Sequence, residues 1–256
     1  MRCGGCNMKD RFGLQLYSVR EEIKANGFPA MLETVKRAGY DCVEFAGFYG
    51  YSPEEVVKLL KANGLEGISA HIGLGDIEAQ LPYIDAIGIK YVYVPWLNYE
   101  DMCGEKLVGT IEKIKSVKKL LDKRGIVFGY HNHAHEYTGG SDKVFELVSA
   151  VDGFTSELDI FWAVAAGQSP TELMKKYGDK LSAVHIKEMD KRTKAEPREY
   201  PNAIVGEGKS DTKSVIKLAK DMGIGLFILE VEGFPCGVEE YLKKSCDGMK
   251  RLAAEA

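Results

Sequence analysis

Short apolar runs alternate with longer amphipathic stretches along the whole of this 256-residue chain. Each run holds four to six residues, many of them β-branched or aromatic, which is typical of a buried strand. The eight runs are Phe12–Tyr17, Cys42–Phe45, Gly67–His71, Tyr91–Val94, Ile126–Tyr130, Thr155–Ile160, Ala183–Lys187 and Leu226–Val231. The chain provides about 32 residues for each run, which is the length of one strand–helix unit.

The stretches between the runs have the spacing and the boundaries of helices. One begins at Pro53, where proline suits a first helical turn, and Gly64 follows it as a stop signal. Another covers Lys106–Arg124, has apolar residues every three or four positions, and is followed by Gly125. These patterns predict helices between consecutive strands.

A further helix is predicted over Thr212–Met222, with Ser210 or Asp211 as its N-cap and Gly223 after its end. Helix, glycine, short strand and polar loop, repeated in this order, are typical of alternating α/β structure with parallel strands. Eight such units with no spare segment favour a closed barrel over an open, doubly wound sheet. We therefore predict a single (β/α)8 TIM barrel.

The predicted domain covers residues 1–256, and residues 1–10 are expected to form a flexible terminus. The longest segment without a predicted strand or helix is 188–209, which is highly charged and contains two prolines. It follows the seventh run, so in a barrel it lies on the C-terminal rim, where active sites of this fold are built. We expect this rim loop to contribute to substrate specificity.

Charge and composition exclude several classes of partner. Lys and Arg number 34 against 38 Asp and Glu, giving a net charge of −4, whereas nucleic-acid-binding surfaces are basic. The sequence contains no run of about 18 apolar residues, so no membrane span is predicted. The first residues lack the apolar segment of a secretory signal. The six cysteines are scattered, which fits a reducing, cytoplasmic compartment. The sequence leaves open whether the protein forms a homo-oligomer.

Ionisable side chains stand at the C-terminal ends of most predicted strands. Apolar residues fill the inside of such a barrel, so a charged or imidazole group at a strand end is a candidate for function. The candidates are Glu44, His71, His131, His133, Asp159, His185 and Glu230.

Residues 130–136, with the sequence YHNHAHE, form the most distinctive segment. Residues two positions apart share a face of an extended segment, so His131 and His133 can present two imidazoles to one metal ion. The alternative is a polar loop with solvent-facing histidines. Three histidines within five residues, at a predicted strand end, favour a functional role.

Other charged residues extend this set. Glu157 and Asp159 face the same way on a strand, and two inward carboxylates in an apolar barrel need a cation or hydrogen-bond donors. A salt bridge deeper in the barrel is the alternative for Glu157. Lys187 lies two positions after a candidate histidine and faces the same way, and one of Glu230 and Glu232 points inward.

Three further motifs carry less weight. Cys3 and Cys6 match half of a zinc ribbon without its second half, so a flexible terminus is preferred. Residues 208–210 mimic the end of a phosphate loop, but Ala203 stands at the position of its first glycine and no strand precedes it. Trp96 is either an aromatic wall for a sugar ring or part of the rim packing.

With these residues in place, the sequence resembles the sugar phosphate isomerase/epimerase superfamily, which has the xylose-isomerase-like barrel. The resemblance covers nearly the whole chain, and the order and spacing of several motifs carry it. These motifs are Gly13–Arg20 (GLQLYSVR), Tyr130–His133 (YHNH), Glu157–Trp162 (ELDIFW), His185–Lys187 (HIK), Val205–Gly208 (VGEG) and Leu229–Glu230.

The resemblance implies a divalent metal ion (Mn²⁺, Zn²⁺, Co²⁺ or Mg²⁺) at the barrel mouth. Members of the superfamily hold it with a Glu, an Asp, a His and a Glu from strands five to eight, and the last three correspond to Asp159, His185 and Glu230. At the place of the strand-five Glu this sequence has His131, whose imidazole suits Zn²⁺, Mn²⁺ or Co²⁺.

The resemblance also implies an isomerase or epimerase of a small sugar, sugar phosphate or keto-polyol, which removes a proton next to a carbonyl. Epimerases of this superfamily pair two metal-bound Glu residues as acid and base. Glu230 corresponds to one of them; His133, Glu136 or Glu157 substitutes for the other, and Lys187 stabilises negative charge or binds a substrate anion. Substrate contacts are assigned to Glu44, His71, Trp96, Glu136, Trp162 and Glu207.

Two other functions stay open. A lyase of the inosose-dehydratase kind shares the proton abstraction but then expels a leaving group, for which His133 would be a suitable acid. A barrel that binds sugars without turnover would explain the missing strand-five Glu. Five histidines in an acidic chain argue against an apurinic-site endonuclease, which holds several zinc ions and binds DNA.

Overall fold

The structure is a computed structural model that describes residues 10–191 and 202–256. The Cys3–Cys6 pair and, apart from Asp10, the expected flexible terminus lie outside the described residues. The same holds for the middle of the predicted rim loop, of which residues 188–191 and 202–209 are described.

All eight predicted runs form strands, with bounds that differ from the prediction by at most two residues. The strands are β1 (Arg11–Gln15), β2 (Cys42–Phe45), β3 (Glu66–His71), β4 (Tyr91–Val94), β5 (Val127–His131), β6 (Thr155–Asp159), β7 (Leu181–Ile186) and β8 (Leu226–Leu229). They form a closed barrel in sequence order. Parallel pairing of β1 with β8 closes it, with Leu14 opposite Leu229. The predicted (β/α)8 TIM barrel is therefore confirmed.

Helices connect the strands on the outside of the barrel. Those of the described residues are α1 (Arg20–Asn26), α2 (Phe28–Ala38), α3 (Pro53–Asn63), α4 (Leu81–Ile87), α5 (Gly104–Asp122), α6 (Lys143–Ala150), α7 (Ile160–Ala165), α8 (Pro170–Tyr177), α9 (Thr212–Asp221) and α10 (Val238–Ala254). None of them is long and apolar enough to cross a membrane.

Helix α3 shows how local sequence sets the bounds of an element. Ser52 accepts a hydrogen bond from the backbone of Glu55, and the Glu55 carboxylate binds the backbone of Ser52 in return, so both ends of a capping box are present. Pro53 occupies the first turn, as predicted. Gly64 ends the helix in the left-handed conformation, with φ of 58°.

One of the two predicted N-cap residues of α9, Asp211, occupies that position, but it does not cap the helix with its side chain. Its backbone is left-handed, with φ of 52°. The Ser210 hydroxyl donates to the carbonyl of Lys187 and accepts from the backbone of Met189, so it ties two parts of the loop after β7 together. The Ser210 hydroxyl is therefore engaged within the loop and does not cap the helix.

Inward-facing side chains change from apolar to ionisable along the barrel axis. Six buried apolar residues on the strands form a small cluster: Cys42, Ile68, Tyr93, Ala183, Leu226 and Ile228. Two positions after Cys42, Ala183 and Ile228, the residues with the same orientation are Glu44, His185 and Glu230. The carboxyl end of the barrel therefore holds a buried ionisable layer on an apolar floor.

Candidate active site at the barrel mouth

Four of the predicted residues converge where β5 to β8 end. His131, Asp159, His185 and Glu230 each offer a donor atom, and these atoms all lie within 4.8 Å of one another. We call these four residues the mouth set. All four residues are buried, and the most exposed of them, Glu230, is 4% exposed. Each comes from a different strand end, so closure of the barrel is what brings them together.

Asp159 is held in place from both sides. The Asn132 side chain accepts a hydrogen bond from the backbone N–H of Asp159 at 2.9 Å and donates to its carbonyl at 3.3 Å. One carboxylate oxygen, Oδ1, caps α7 by accepting from the backbone of Trp162. The other, Oδ2, is buried and has no hydrogen-bond partner among the described residues. Burial raises the pKa of Asp159 to about 7, although the nearby Lys187 opposes this.

His185 lies between two carboxylates. Its Nε2 is 2.6 Å from Oε1 of Glu44, and its Nδ1 is 3.1 Å from Oε2 of Glu230. When Nε2 donates its proton to Glu44, the Nδ1 lone pair faces a carboxylate oxygen of Glu230. Only a second proton or a cation between them makes that contact favourable.

A second group of charged side chains lies beneath the mouth set and shares His185 with it. We call it the inner ring; it consists of Glu44, His71, Glu157 and His185. Oε2 of Glu157 is 2.7 Å from Nε2 of His71 and 3.2 Å from Nε2 of His185. Oε1 of Glu44 is 3.1 Å from the same His71 atom. Glu157 thus forms the deeper salt bridges that were one of its two predicted roles.

The inner ring shifts the pKa values of its members in a consistent pattern. Burial opposes charge on His71, but Glu44 and Glu157 outweigh burial and raise the pKa of His71 to about 10. Burial would raise the pKa of Glu44, but His71 and His185 hold the pKa of that carboxyl well below its usual range. In contrast, burial beside His185 holds the pKa of His131 well below its usual range.

Lys187 is a buried cation beside the mouth set. Its Nζ lies 2.7 Å from Oε1 of Glu232 and 3.4 Å from Oε1 of Glu230, and 4.6 Å above the ring of Trp162. Burial opposes its charge, but the neighbouring carboxylates raise the pKa of Lys187. Glu230 is the inward member of the Glu230–Glu232 pair, since it is 4% exposed and contacts His185.

A cavity of about 460 Å³ opens above these residues. It is lined by Tyr17, Arg20, Ala46, His71, Pro95, Trp96, His131, His133, Glu230 and Glu232. Trp96 stands 52% exposed at its edge, with its ring 4.9 Å from that of His133. His133 packs against Trp162 on another side, at 5.4 Å between ring centroids. Trp96 therefore borders the mouth.

Four residues predicted to contact substrate do not line the cavity: Glu44, Glu136, Trp162 and Glu207. Glu136 is fully buried and accepts hydrogen bonds from the Tyr130 hydroxyl and the His133 backbone, because the chain turns into a 3-10 helix at His135 instead of continuing as a strand. Glu207 is exposed, on a turn whose Gly206 packs near Arg251 of α10. Glu44 is buried in the inner ring and does not line the cavity.

Three polar cavity residues were not identified from the sequence, namely Tyr17, Arg20 and Glu232. Tyr17 and Arg20 follow β1, and the Arg20 guanidinium stacks on the Tyr17 ring at 4.0 Å. Their position after the first strand was the available signal, because the loops that follow strands build the rim. Glu232 was left undecided because an alternating pattern does not say which of two residues faces inward.

The mouth set fits a divalent cation on chemical grounds. Two carboxylates and two imidazoles are donors that Zn²⁺, Mn²⁺ and Co²⁺ accept. The buried Oδ2 of Asp159, which has no partner among the described residues, would gain one from a bound ion.

Comparisons with solved structures show the same fold. A sugar phosphate isomerase/epimerase from Parabacteroides distasonis is 22% identical, with a TM-score of 0.77 over 98% of this chain and 96% of that one. An IolI protein with a bound zinc atom is 14% identical, with a TM-score of 0.74 over 96% and 98%. D-Psicose 3-epimerase from Clostridium cellulolyticum, solved with D-tagatose, is 15% identical, with a TM-score of 0.70 over 96% and 98%.

Sequence comparison identifies the family. Among curated protein sequences, none matches the chain significantly. A family model described as a xylose isomerase-like TIM barrel matches residues 32–252, which include every strand from β2 to β8 and the whole mouth set. The chain belongs to the xylose isomerase-like TIM-barrel family.

Proposed function

We propose that this protein is a divalent-metal-dependent isomerase or epimerase of a small sugar, sugar phosphate or keto-polyol. The observation that carries the proposal is the convergence of His131, Asp159, His185 and Glu230 beside a cavity of about 460 Å³. These residues would hold the ion. A bound divalent cation supplies electrostatic stabilisation for negative charge that develops on a carbonyl oxygen.

Glu230 is the proposed base that removes the proton next to the carbonyl. Burial opposes its charge, but Lys187 and His185 outweigh burial and hold the pKa of Glu230 well below its usual range. Glu230 is therefore a carboxylate at neutral pH, and it lines the cavity. Lys187 stays protonated beside it and offsets the negative charge that accumulates on the substrate.

His133 is the proposed second proton-transfer group. Burial lowers the pKa of His133 to about 3, so its imidazole is neutral at physiological pH and can both accept and donate. Its Nδ1 has no hydrogen-bond partner among the described residues, and the residue lines the cavity. His133 thus takes the role that a second carboxylate would have in a symmetric pair.

The cavity wall is proposed to bind the sugar itself. Trp96 and Tyr17 present exposed rings, 52% and 46% exposed, which suit the apolar face of a sugar. His71 and Trp162 are the proposed polar contacts, since His71 lines the cavity and Nε1 of Trp162 has no partner among the described residues. Free thiols at Cys42 and Cys246 support a reducing, cytoplasmic location.

Deuterium exchange tests the proposed reaction. The Mn²⁺-loaded protein is incubated in D₂O with a panel of ketoses, aldoses and their phosphates, and products are followed by NMR and mass spectrometry. We expect solvent deuterium at the carbon next to the carbonyl and a product that differs from the substrate only by that label. Loss of water from the product would indicate a lyase instead. Saturable binding with no exchange across the panel would indicate a non-catalytic sugar-binding barrel.

The matched variants are Glu230→Gln and Glu136→Gln. Both replace a buried carboxyl of the same size, but only Glu230 lines the cavity. We expect Glu230→Gln to lose the exchange and Glu136→Gln to keep most of it. Exchange that survives Glu230→Gln at the wild-type rate would contradict the role given to Glu230.

A further inference from the structure

A further cavity adjoins the one above the mouth set, and the proposed reaction leaves it without a task. Its volume is about 420 Å³, and it is lined by residues of the loops that follow β2 and β3 and by Tyr83 of α4. We call it the side cavity and the first one the mouth cavity. Ala46 and His71 line both, so the two cavities are neighbours on the rim of the barrel.

Each of the two cavities has room for a sugar ring. Pockets of about 300–1,000 Å³ hold whole drug-sized ligands, which are larger than a monosaccharide. The mouth cavity, of about 460 Å³, therefore accommodates a reacting sugar by itself. The side cavity remains for another part of the same ligand, since the loops that follow strands build the binding sites of this fold.

Two aromatic rings form a wall of the side cavity. Phe48 and Tyr83 are stacked, with ring centroids 4.0 Å apart and an angle of 8° between the ring planes. The Tyr83 hydroxyl donates to the carbonyl of Tyr51 at 2.9 Å, and the Tyr51 N–H donates to the carbonyl of Phe48. These bonds tie the loop after β2 to α4, so the wall is formed before a ligand binds. Such a wall suits the apolar face of a sugar ring.

Asp76 and Gln80 bring polar side chains to the same cavity. Their backbones take part in the turn that leads into α4, because the N–H of Gln80 donates to the carbonyl of Asp76. Neither side chain makes a hydrogen bond or an ion pair with another of the described residues. A carboxylate and an amide each present two polar atoms side by side, which match adjacent hydroxyl groups. The cavity therefore combines an apolar wall with unused hydrogen-bonding groups.

The charges around the side cavity favour a neutral ligand. Among the described residues, no lysine or arginine lines it. His71 is paired with Glu157 at 2.7 Å and with Glu44 at 3.1 Å, so its charge is already compensated. A phosphate or carboxylate group would meet Asp76 without an unpaired cation beside it, which is unfavourable. Hydroxyl groups would instead find hydrogen-bond partners.

We propose that the side cavity is a subsite for a second, neutral sugar ring, which Asp76 and Gln80 bind against the wall of Phe48 and Tyr83. The substrate is then a disaccharide, and its other ring reacts above the mouth set. This inference rests on the proposed function, because it requires a sugar in the mouth cavity. It goes beyond that function by selecting a two-ring substrate over a single sugar or a sugar phosphate.

Calorimetric titration of the Mn²⁺-loaded full chain tests the subsite. The probes are maltose, cellobiose, lactose and sucrose, compared with glucose, galactose and fructose. We expect at least one disaccharide to bind about tenfold more tightly than either of its component sugars, because it gains hydrogen bonds and an aromatic contact. Asp76→Ala/Gln80→Ala is expected to lose this advantage. Glu78→Ala is the matched control and should keep it, since Glu78 is exposed between the two residues and does not line the cavity.

The outcomes separate the subsite from the proposed reaction. Monosaccharides that exchange deuterium, with no disaccharide binding more tightly than its components, would overturn the subsite and leave the reaction standing. A disaccharide advantage that depends on Asp76 and Gln80, with no exchange in any sugar, would support the subsite and contradict the reaction. An advantage that survives the double variant, or a panel in which no sugar binds, would overturn the subsite.

A crystal structure of the wild type with the tightest-binding disaccharide needs no variant to fold. One ring is expected in the side cavity beside Phe48 and Tyr83, within hydrogen-bond distance of Asp76 or Gln80. The other ring is expected above the mouth set. A bound disaccharide that leaves the side cavity without a ring would overturn the proposal.

Discussion

Asn132 is not a candidate metal ligand, but it fixes the position of Asp159, which is one. It binds both the N–H and the carbonyl of Asp159, so the backbone at the end of β6 cannot rotate independently of the end of β5. Asn132 is fully buried, and its amide can donate and accept at once. The orientation of the Asp159 carboxylate towards the mouth therefore depends on this neighbour.

Removing the Asn132 amide is expected to weaken both the fold and the metal site. Asn132→Ala leaves the buried N–H and carbonyl of Asp159 unpaired, which costs about 1–3 kcal/mol of unfolding free energy. We also expect weaker Mn²⁺ binding, measured by titration calorimetry beside urea unfolding. Asn132→Asp keeps the hydrogen-bond acceptor and loses the donor, so its unfolding free energy should lie between those of the wild type and Asn132→Ala. Wild-type stability and affinity in Asn132→Ala would contradict this role.

Residues at strand ends were predictable, and residues in loops were not. His185 lies within an apolar run of alternating orientation, so the sequence places it near the mouth, whereas the sequence left open which of Glu230 and Glu232 points inward. Glu136 belongs to the same motif as His133, but the turn at His135 folds its carboxylate back onto Tyr130. The direction of a loop residue depends on backbone angles that no periodic pattern encodes.

At the scale of elements, β5 carries a strict packing requirement near the site. A Cβ on Gly129 would lie 2.6 Å from the backbone oxygen of Thr155 and 2.9 Å from the ring of Tyr93. The backbone oxygen belongs to the β5–β6 ladder and cannot move without breaking it. Glycine at this position lets β5 and β6 approach closely enough to bring His131 and Asp159 together.

A pair of glycine substitutions tests this requirement. Gly129→Ala is expected to lower the unfolding free energy by about 1–3 kcal/mol, because the added methyl overpacks the barrel. Gly109→Ala is the matched control, since Gly109 lies exposed within α5 with nothing within 4 Å of its Cβ. The control should gain about 0.5–1 kcal/mol from lower chain entropy. Urea unfolding of both variants is the measurement, and equal effects in the two would refute the packing argument.

Most elements were predictable because each carries its own boundary signals. Apolar runs predicted all eight strands within two residues, and Pro53 with Gly64 predicted the bounds of α3. The sequence predicted the N-cap position of α9 at Asp211 but not the absence of a side-chain capping hydrogen bond. Glu188, a buried carboxylate, binds the backbone of Ser210 and the Thr212 hydroxyl there, and this contact between loop and helix determines how α9 begins.

At the scale of the whole molecule, barrel closure creates the site. The inner ring joins residues from β2, β3, β6 and β7, and Glu44 and His185 are 141 positions apart in the chain. The sequence shows which residues are inward and ionisable. Their division into a mouth set and an inner ring depends on the stagger between strands, including the register shifts within β2 and β6, which only the structure provides.

The location of Mn²⁺ in crystals of the wild-type protein tests the central claim most directly. Crystals grown at saturating Mn²⁺ are measured at a wavelength where manganese scatters anomalously. The account predicts a peak bonded to carboxylate oxygens of Asp159 and Glu230 and to ring nitrogens of His131 and His185. Fully occupied surface sites with no peak among those four residues would contradict a metal-dependent active site at the mouth.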